Sequence, residues 1–513
     1  MQRLPTIFLA CLIVALPCLM PLFDRQEYDI LTIACSVALL VTATLQVVMN
    51  CFGDKEWRLN ICDILFLAFI GYSYGNSLYH DSIHSVLVYW KWSAAIAAYI
   101  IGRVSRESRR MICIAVIVSG LIQSTVIILQ RFGVIDSLSY FFPVSGTFGN
   151  PAPTAALITV ALSLCIATLS ENDFNGRKRT VILIGVLVLF VALVFSNSRA
   201  CWVATIGIIL FAIYRRMPNN KVIVTCAVTL MVVLPALYFI RPGSADVRLL
   251  IWRASVGMYV QTPIFGAGAT SFAQNYMYAQ ADYFANHPDS VFIGVATDHV
   301  QSYNEIIHLA CEQGAIGLAI FLLLLFSCYK SSRAMLRFPI VAIAIFSLFL
   351  YTSDVFIVFI IWWLFLGFGG TTAESILTLK GWKRNILTIV ISVIAVLFVG
   401  MIFEPNYLEN NARFPEYPTY WSTCDEGMQF EREGEYGRAE ESYVKAFNMV
   451  PNRITAPYRL FRLYSVTNTS KAEEIAEYIL YKQKVQYYGN TVLKIRSEVR
   501  QYLNNLENPS EIQ

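Results

Sequence analysis

The sequence predicts an all-α, polytopic membrane protein of about 12–13 transmembrane helices that ends in a small helical-repeat domain. Three observations predict it. First, 56% of the 513 residues are hydrophobic and only 14% are charged, with a mean hydropathy of +0.54. A soluble globular domain carries about 25% charged residues, so much of this chain is solvated by lipid. Second, the apolar residues gather into runs long enough, or nearly so, to cross a bilayer. Third, the composition turns polar at Glu404 while keeping a helical period.

In chain order the apolar runs fall at about 4–23, 30–50, 60–79, 82–101, 111–131, 151–170, 180–196, 200–214, 221–240, 304–329, 338–351, 354–370 and 385–403. No small-residue cleavage site follows the first run, so it reads as a helix rather than a signal peptide. The pair 338–351 and 354–370 is short and suits one re-entrant or strongly kinked unit. Alternate loops are basic: Lys55/Arg58, then Arg103/Arg106/Arg109/Arg110, Arg177/Lys178/Arg179, Arg215/Arg216/Lys221, Lys330/Arg333/Arg337 and Lys380/Lys383/Arg384. The loops between them carry few basic residues. The positive-inside rule then places the N-terminus in the cytoplasm, with the interval 241–303 and everything after 403 outside. With no organellar presequence visible, a bacterial inner membrane is the simplest host.

The net charge of +4 is too small to argue for nucleic acid. The twelve Cys fall almost entirely inside apolar runs, where Cys behaves as a small hydrophobe, and no spacing suggests a disulfide framework or a metal site.

Two domains are expected: a membrane domain over 1–403 and an external helical domain over 404–513. EPNYLENNARFPEYPTY, from Glu404, reads as a linker. Tyr420–Asn452 then reads as one tetratricopeptide repeat, because Gly427, Phe430, Gly434, Tyr436, Ala439, Tyr443, Ala446 and Pro451 fall at that repeat's spacing. The bland alternative is a generic helical hairpin. A second, degenerate pair follows at about 453–465 and 471–488. So few repeats cannot bury a core alone, which implies that the tail docks on something.

Polar chemistry concentrates between Arg241 and Gly317, the longest non-hydrophobic interval before residue 404. A membrane protein that keeps its polar residues in one place usually has its site there. Arg248 and Arg253 lie in it, with His299, Tyr303, Asn304 and Glu312 near its end. Arg199 opens a span on the same external side, and Lys91 lies inside another. Glu305, His308 and Glu312 share a helical face by spacing. Each has a structural reading that weighs about as much as the functional one: Arg199 as a snorkelling side chain, Lys91 as a helix–helix bond, Glu305/His308 as a structural pair. Together the arginines favour a phosphate, which guanidinium groups bind through planar bidentate bonds. Gly266–Gly268 is too short for a dinucleotide fingerprint and reads as a turn after Pro263.

GTFGNPAPTAALI (Gly146–Ile158), SNSRACW (Ser196–Trp202), RLLIW (Arg248–Trp252), TPIFGAG (Thr262–Gly268) and YNEIIHLACEQGAIGL (Tyr303–Leu318), in that order, resemble the blocks of the O-antigen ligase/polymerase family. That family includes lipopolysaccharide O-antigen ligases, lipid-linked O-antigen polymerases and bacterial protein O-oligosaccharyltransferases. The resemblance covers roughly 140–330.

It implies glycan transfer from an undecaprenyl-diphosphate-linked donor to an acceptor hydroxyl on lipid A-core or protein, at the periplasmic face, inverting and without cofactor or metal. Arg199 and Arg248 match family arginines that would hold the diphosphate. Arg253 has no counterpart. Asn150, Tyr303, Asn304 and Glu312 fall in matching blocks as substrate-binding candidates. The sequence departs from the family at its histidine: counting back from Glu312-Gln313-Gly314, the usual His-Asn pair lands on Tyr303-Asn304. His299 lies four residues earlier. It shares a face with Tyr303 if the helix extends back one turn, and it is then the candidate base, with Tyr303 the alternative hydrogen-bonding group. Ligase ranks first, protein O-oligosaccharyltransferase second and polymerase third. A transporter or flippase is the rival from another class, but it predicts inverted repeats and broken helices in matching halves, and none are visible. A membrane-anchored repeat scaffold leaves the arginines unexplained.

Overall fold

The structure is a computed structural model describing residues 4–22, 25–52, 56–80, 86–104, 109–171, 176–240, 242–386, 388–389, 417–483 and 490–507. It is a predominantly helical, polytopic membrane protein. Nearly all of the span expected at 385–403, the boundary at 403 and the linker from Glu404 lie outside the described residues. The chain divides into two compact units.

The first unit comprises residues 1–239, 303–309 and 315–415. Its helices are α1 (Leu4–Leu19), α2 (Arg25–Phe52), α3 (Ile61–Tyr79), α4 (Val86–Val104), α5 (Arg109–Arg131), α6 (Pro151–Glu171), α7 (Arg177–Ser196), α8 (Arg199–Arg216) and α9 (Asn220–Ile240). α10 (Pro242–Gln261) and α11 (Ser271–Asn286) follow in the second unit; α12 (Glu305–Ser331), α13 (Ala334–Ser347) and α14 (Phe356–Gly369) complete the membrane part. Six helices among the described residues are long and apolar enough to span, and α13 and α14 are shorter apolar helices.

Every residue of α14, FIVFIIWWLFLGFG, is buried. It is hydrophobic all round because protein rather than lipid surrounds it. Its close approach to α4 rests on small residues: a Cβ at Gly367 would overlap the Tyr99 carbonyl, and one at Gly102 the Leu364 carbonyl. Hydrocarbon provides no hydrophobic drive between helices, so such backbone-to-backbone contact is what holds them. Phe66, Phe69, Trp92, Phe321, Phe359 and Trp363 pack around this seam edge-on and tilted, with Phe69 stacked on Trp363.

Several basic residues of the loops are tied into the fold, among them Arg109, Arg215 and Arg337, and Arg103 most fully. Arg103 donates through Nε to Asp63 Oδ1 (2.6 Å) and through Nη2 to Asp63 Oδ2 (2.7 Å), a bidentate pair that Tyr99 Oη joins at 3.0 Å. Asn60 caps α3 beside it. The all-helical expectation misses one detail: Trp57–Asn60 and Ser375–Leu379 form a two-stranded antiparallel ribbon. Its partners are more than 300 residues apart, so no local pattern announces it.

The second unit comprises residues 240–302, 310–314 and 416–513. The polar interval contributes α10 and α11. The tail contributes α15 (Tyr420–Arg432), α16 (Tyr436–Met449), α17 (Thr455–Thr467), α18 (Thr469–Glu477) and α19 (Asn490–Glu507). α15 and α16 form a hairpin in which a Cβ at Gly427 would overlap the Tyr443 ring. The tail's own small cores, around Tyr443 and Leu460 and around Phe461 and Val499, are supplemented by packing of α16 on α11. The tail therefore docks on the polar interval, where the need for a partner surface is met.

Candidate functional site

Each unit holds one constellation of the residues singled out from sequence. In the first, Asn150 opens α6: its Oδ1 accepts from Ala152 N at 3.0 Å and its Nδ2 donates to Tyr351 Oη at 3.0 Å. The Tyr351 ring stands edge-on to Tyr303, centroids 5.3 Å apart. Glu305, in the first turn of α12, is buried and its carboxylate accepts from Ser353 N at 3.4 Å. Next in sequence to Ser353, Asp354 accepts from Lys91 Nζ at 2.9 Å, and Lys91 also lies over the Phe359 ring. Lys91 thus bonds a neighbouring segment, as its structural reading anticipates. Tyr351, Ser353 and Asp354 escape sequence reasoning, since they sit in a short turn between two apolar runs.

Arg199 opens α8 after a tight reversal from α7. Asn197 takes the left-handed conformation (φ 54°), one that Asn tolerates, and Trp202 Nε1 donates to Leu193 O at 2.9 Å across the turn. The block SNSRACW is therefore a helix–turn–helix corner that presents Arg199, half-buried, at a helix start.

The helix expected to run back to His299 does not form. Asn304 caps α12, accepting from Ile306 N (2.9 Å) and Ile307 N (3.2 Å), and Tyr303 is left-handed with φ 51°. Those two residues end the helix at Glu305, so the shared face proposed for His299 and Tyr303 does not exist. Asn304, a substrate-binding candidate, acts here as a cap.

In the second unit, Arg248 and Arg253 lie on α10. Arg248 Nη1 donates to Ser244 O (3.2 Å) and Oγ (3.1 Å). Arg253 is exposed and stands over the Phe292 ring, 5.0 Å from its centroid. His299 lies in an irregular segment. Its amide donates to Met277 Sδ at 3.5 Å, and its ring is 6.3 Å from that of Tyr276. Burial pushes the imidazole down to about 4, against the opposing pull of Asp298. It is therefore neutral at neutral pH, the state that accepts a proton.

Glu312 is buried, and its carboxylate accepts from Phe272 N at 3.4 Å in the first turn of α11. A carboxylate there suits the positive end of the helix. Its backbone carbonyl accepts from Gly268 N at 2.8 Å, and Cys311 O accepts from Ala267 N at 3.1 Å. The GAG turn is thus seated on α12, which kinks at Gly314 (φ 62°, ψ −170°). Among the described residues, no three His, Cys, Asp or Glu side chains gather as metal ligands would.

Residues 184–322 match the family model described as O-antigen ligase. The chain carries an O-antigen ligase domain. It takes in Arg199, Arg248, His299, Tyr303, Asn304 and Glu312, while Asn150 and the tail lie outside it. The family consists of glycosyltransferase-like membrane enzymes, with a lipid-linked glycan donor and an acceptor. No curated protein matches the chain. Within the O-antigen ligase domain, the irregular turn at 262–269 and the kink at Gly314 belong to one backbone arrangement, which the sequence blocks mark only as separate glycines.

Proposed function

We propose that the chain transfers a glycan from an undecaprenyl-diphosphate donor to an acceptor hydroxyl at the periplasmic face, with lipid A-core as the acceptor. The O-antigen ligase match over 184–322 carries this reading, because that segment contains both arginines and the whole polar interval. The acceptor oxygen attacks the anomeric carbon, the bond from that carbon to the phosphate oxygen breaks, and the configuration inverts. Arg248 and Arg199 hold the diphosphate and stabilise the charge that grows as it leaves. His299, neutral at pH 7, takes the acceptor proton. Glu312, on α12 with its carboxylate against the first turn of α11, and Asn150, Tyr303 and Asn304 are the substrate-binding groups of this scheme. The reaction needs no metal or cofactor in this scheme.

A protein acceptor is the second reading. It is favoured by the tail, which we read as tetratricopeptide-like and which shares a compact unit with residues 240–302 of the polar interval. Deleting the gene and comparing lipid-linked with protein-linked glycans decides between them. Loss of glycan from lipid A-core supports the first, and loss from protein alone supports the second. Retention of both, together with no consumption of a lipid-linked donor by the purified protein, would overturn the proposal.

A further inference from the structure

The three residues ahead of His299 are held by groups from elsewhere in the second unit, three of the four anchors coming from the tail. Ala296 O accepts from Asn452 Nδ2 at 3.1 Å. Thr297 O accepts from Gln280 Nε2 at 3.2 Å. The Asp298 carboxylate accepts from Arg453 Nη1 at 2.6 Å and from the Tyr420 amide at 2.7 Å. Residues 296–302 have no helix or strand ladder, so these bonds do the ordering that a ladder does elsewhere.

The anchors are themselves oriented. Tyr276 Oη donates to Gln280 Oε1 at 2.7 Å, which directs the amide nitrogen of Gln280 to Thr297 O and, at 2.6 Å, to Met449 O. Arg453 lies over the rings of Tyr420 and Trp421. Gln483 Nε2 donates to Pro451 O (3.2 Å) and Arg453 O (2.9 Å), fixing the turn that carries Asn452 and Arg453. Asn452 and Gln280 are fully buried. A generic docking surface would not direct three successive polar groups at the residues preceding one histidine.

We propose that the tail is a clamp on the His299 segment, with Asn452 and Arg453 as positioning residues acting through Ala296 and Asp298. This rests on the reading in which His299 serves transfer. The tail would then set the geometry of the base in addition to, or instead of, meeting an acceptor. Misplacing a reacting group by about 1 Å can cost about a hundredfold in rate, so the clamp can govern turnover without touching substrate.

The test uses full-length protein in lipid nanodiscs with a lipid-linked donor. Arg453→Met keeps the apolar stem on the Tyr420 and Trp421 rings but removes the ion pair. Asp298→Asn keeps an acceptor for the Tyr420 amide and removes the same pair, so it guards against misfolding of the first variant. Amide exchange at 296–299 should quicken by about tenfold or more in both, with the tail helices still protected. Turnover should fall between about tenfold and about a hundredfold with KM for the donor little changed, and Arg453→Lys should restore part of it. Combined with His299→Ala, Arg453→Met should cost nothing further. Unchanged exchange at 296–299 in both variants would overturn the clamp. Faster exchange with wild-type turnover, while His299→Ala is inactive, would overturn its role in positioning. If His299→Ala itself transfers at the wild-type rate, the role given to His299 falls and with it the positioning role of the tail, while the exchange data still decide whether the tail orders the segment.

Discussion

Gly266 and Gly314, nearly fifty residues apart, lie backbone against backbone: a Cβ added to either would overlap the amide nitrogen of the other. Both have positive φ, 76° and 62°. The contact seats the GAG turn on the kink of α12 and brings Glu312 to the first turn of α11. Gly314→Ala therefore meets two penalties, a left-handed non-glycine backbone costing about 1–3 kcal/mol and an overlap with Ile264 O and Gly266 N that only backbone movement relieves. Its apparent melting temperature in detergent should fall by several degrees or the protein should fail to accumulate. Gly257→Ala, in α10 with open space at its Cβ, should be neutral or slightly stabilising. Equal stability of Gly314→Ala and wild type would show that the contact is not needed.

Arg248→Ala should lower transfer by two to three decades, since losing one strong donor to developing charge costs roughly 3–4 kcal/mol. Arg248→Lys should recover only part, because an ammonium replaces a planar fork. Arg253→Ala should do far less: its partner is the Phe292 ring, and such a contact at an exposed site contributes about 0.5–1 kcal/mol. Initial rates on a lipid-linked donor at equal protein abundance check all three, and wild-type turnover by Arg248→Ala would place the diphosphate elsewhere.

The acid limb of the rate profile should reflect His299. Its imidazole is held down to about 4 by burial, so the base is already neutral from pH 5 to 8 and the rate should be flat there. The rate should fall as pH drops through about 4. Stability follows the same sign. An unfolded imidazole titrates near about 6.5, so between about 6.5 and about 4 the unfolded chain binds more protons than the folded one. The stabilising contribution is complete above the upper value and is lost as pH falls across that window. A limb near 6.5 in kcat/KM would show a solvated histidine or another base.

Lys91 and Asp354 should be coupled. Lys91→Met leaves the Asp354 carboxylate with its lysine gone and Glu305 nearby, whereas Lys91→Met with Asp354→Asn removes both charges. The single variant should be the less stable of the two by on the order of 1 kcal/mol, because breaking a partly desolvated pair costs more than deleting it. Thermal unfolding of the single and double variants supplies the cycle, and strict additivity would show the pair to be inert.

The basic-loop alternation predicts that alkaline phosphatase fused at residue 218 is silent and that a fusion within the tail, at residue 470, is active. The reverse pattern would overturn the orientation.

What the sequence determined by itself was whatever depends on neighbours along the chain. Hydropathy over a single run fixes whether a segment prefers lipid, and so α1–α9 and α12–α14 fall close to the runs read for them. Short blocks such as SNSRACW and YNEIIHLACEQG mark the O-antigen ligase domain because their chemistry is contiguous. Only the tertiary structure decided the rest. Asn304 and Tyr303 end α12 before His299 can join it, a choice between cap and continued helix that spacing leaves open. Asp298 meets Arg453 across 155 positions, and Trp57–Asn60 meets Ser375–Leu379. Pairings at that range depend on how buried surfaces pack and which backbone groups are left to satisfy, and neither quantity is a property of any window of sequence.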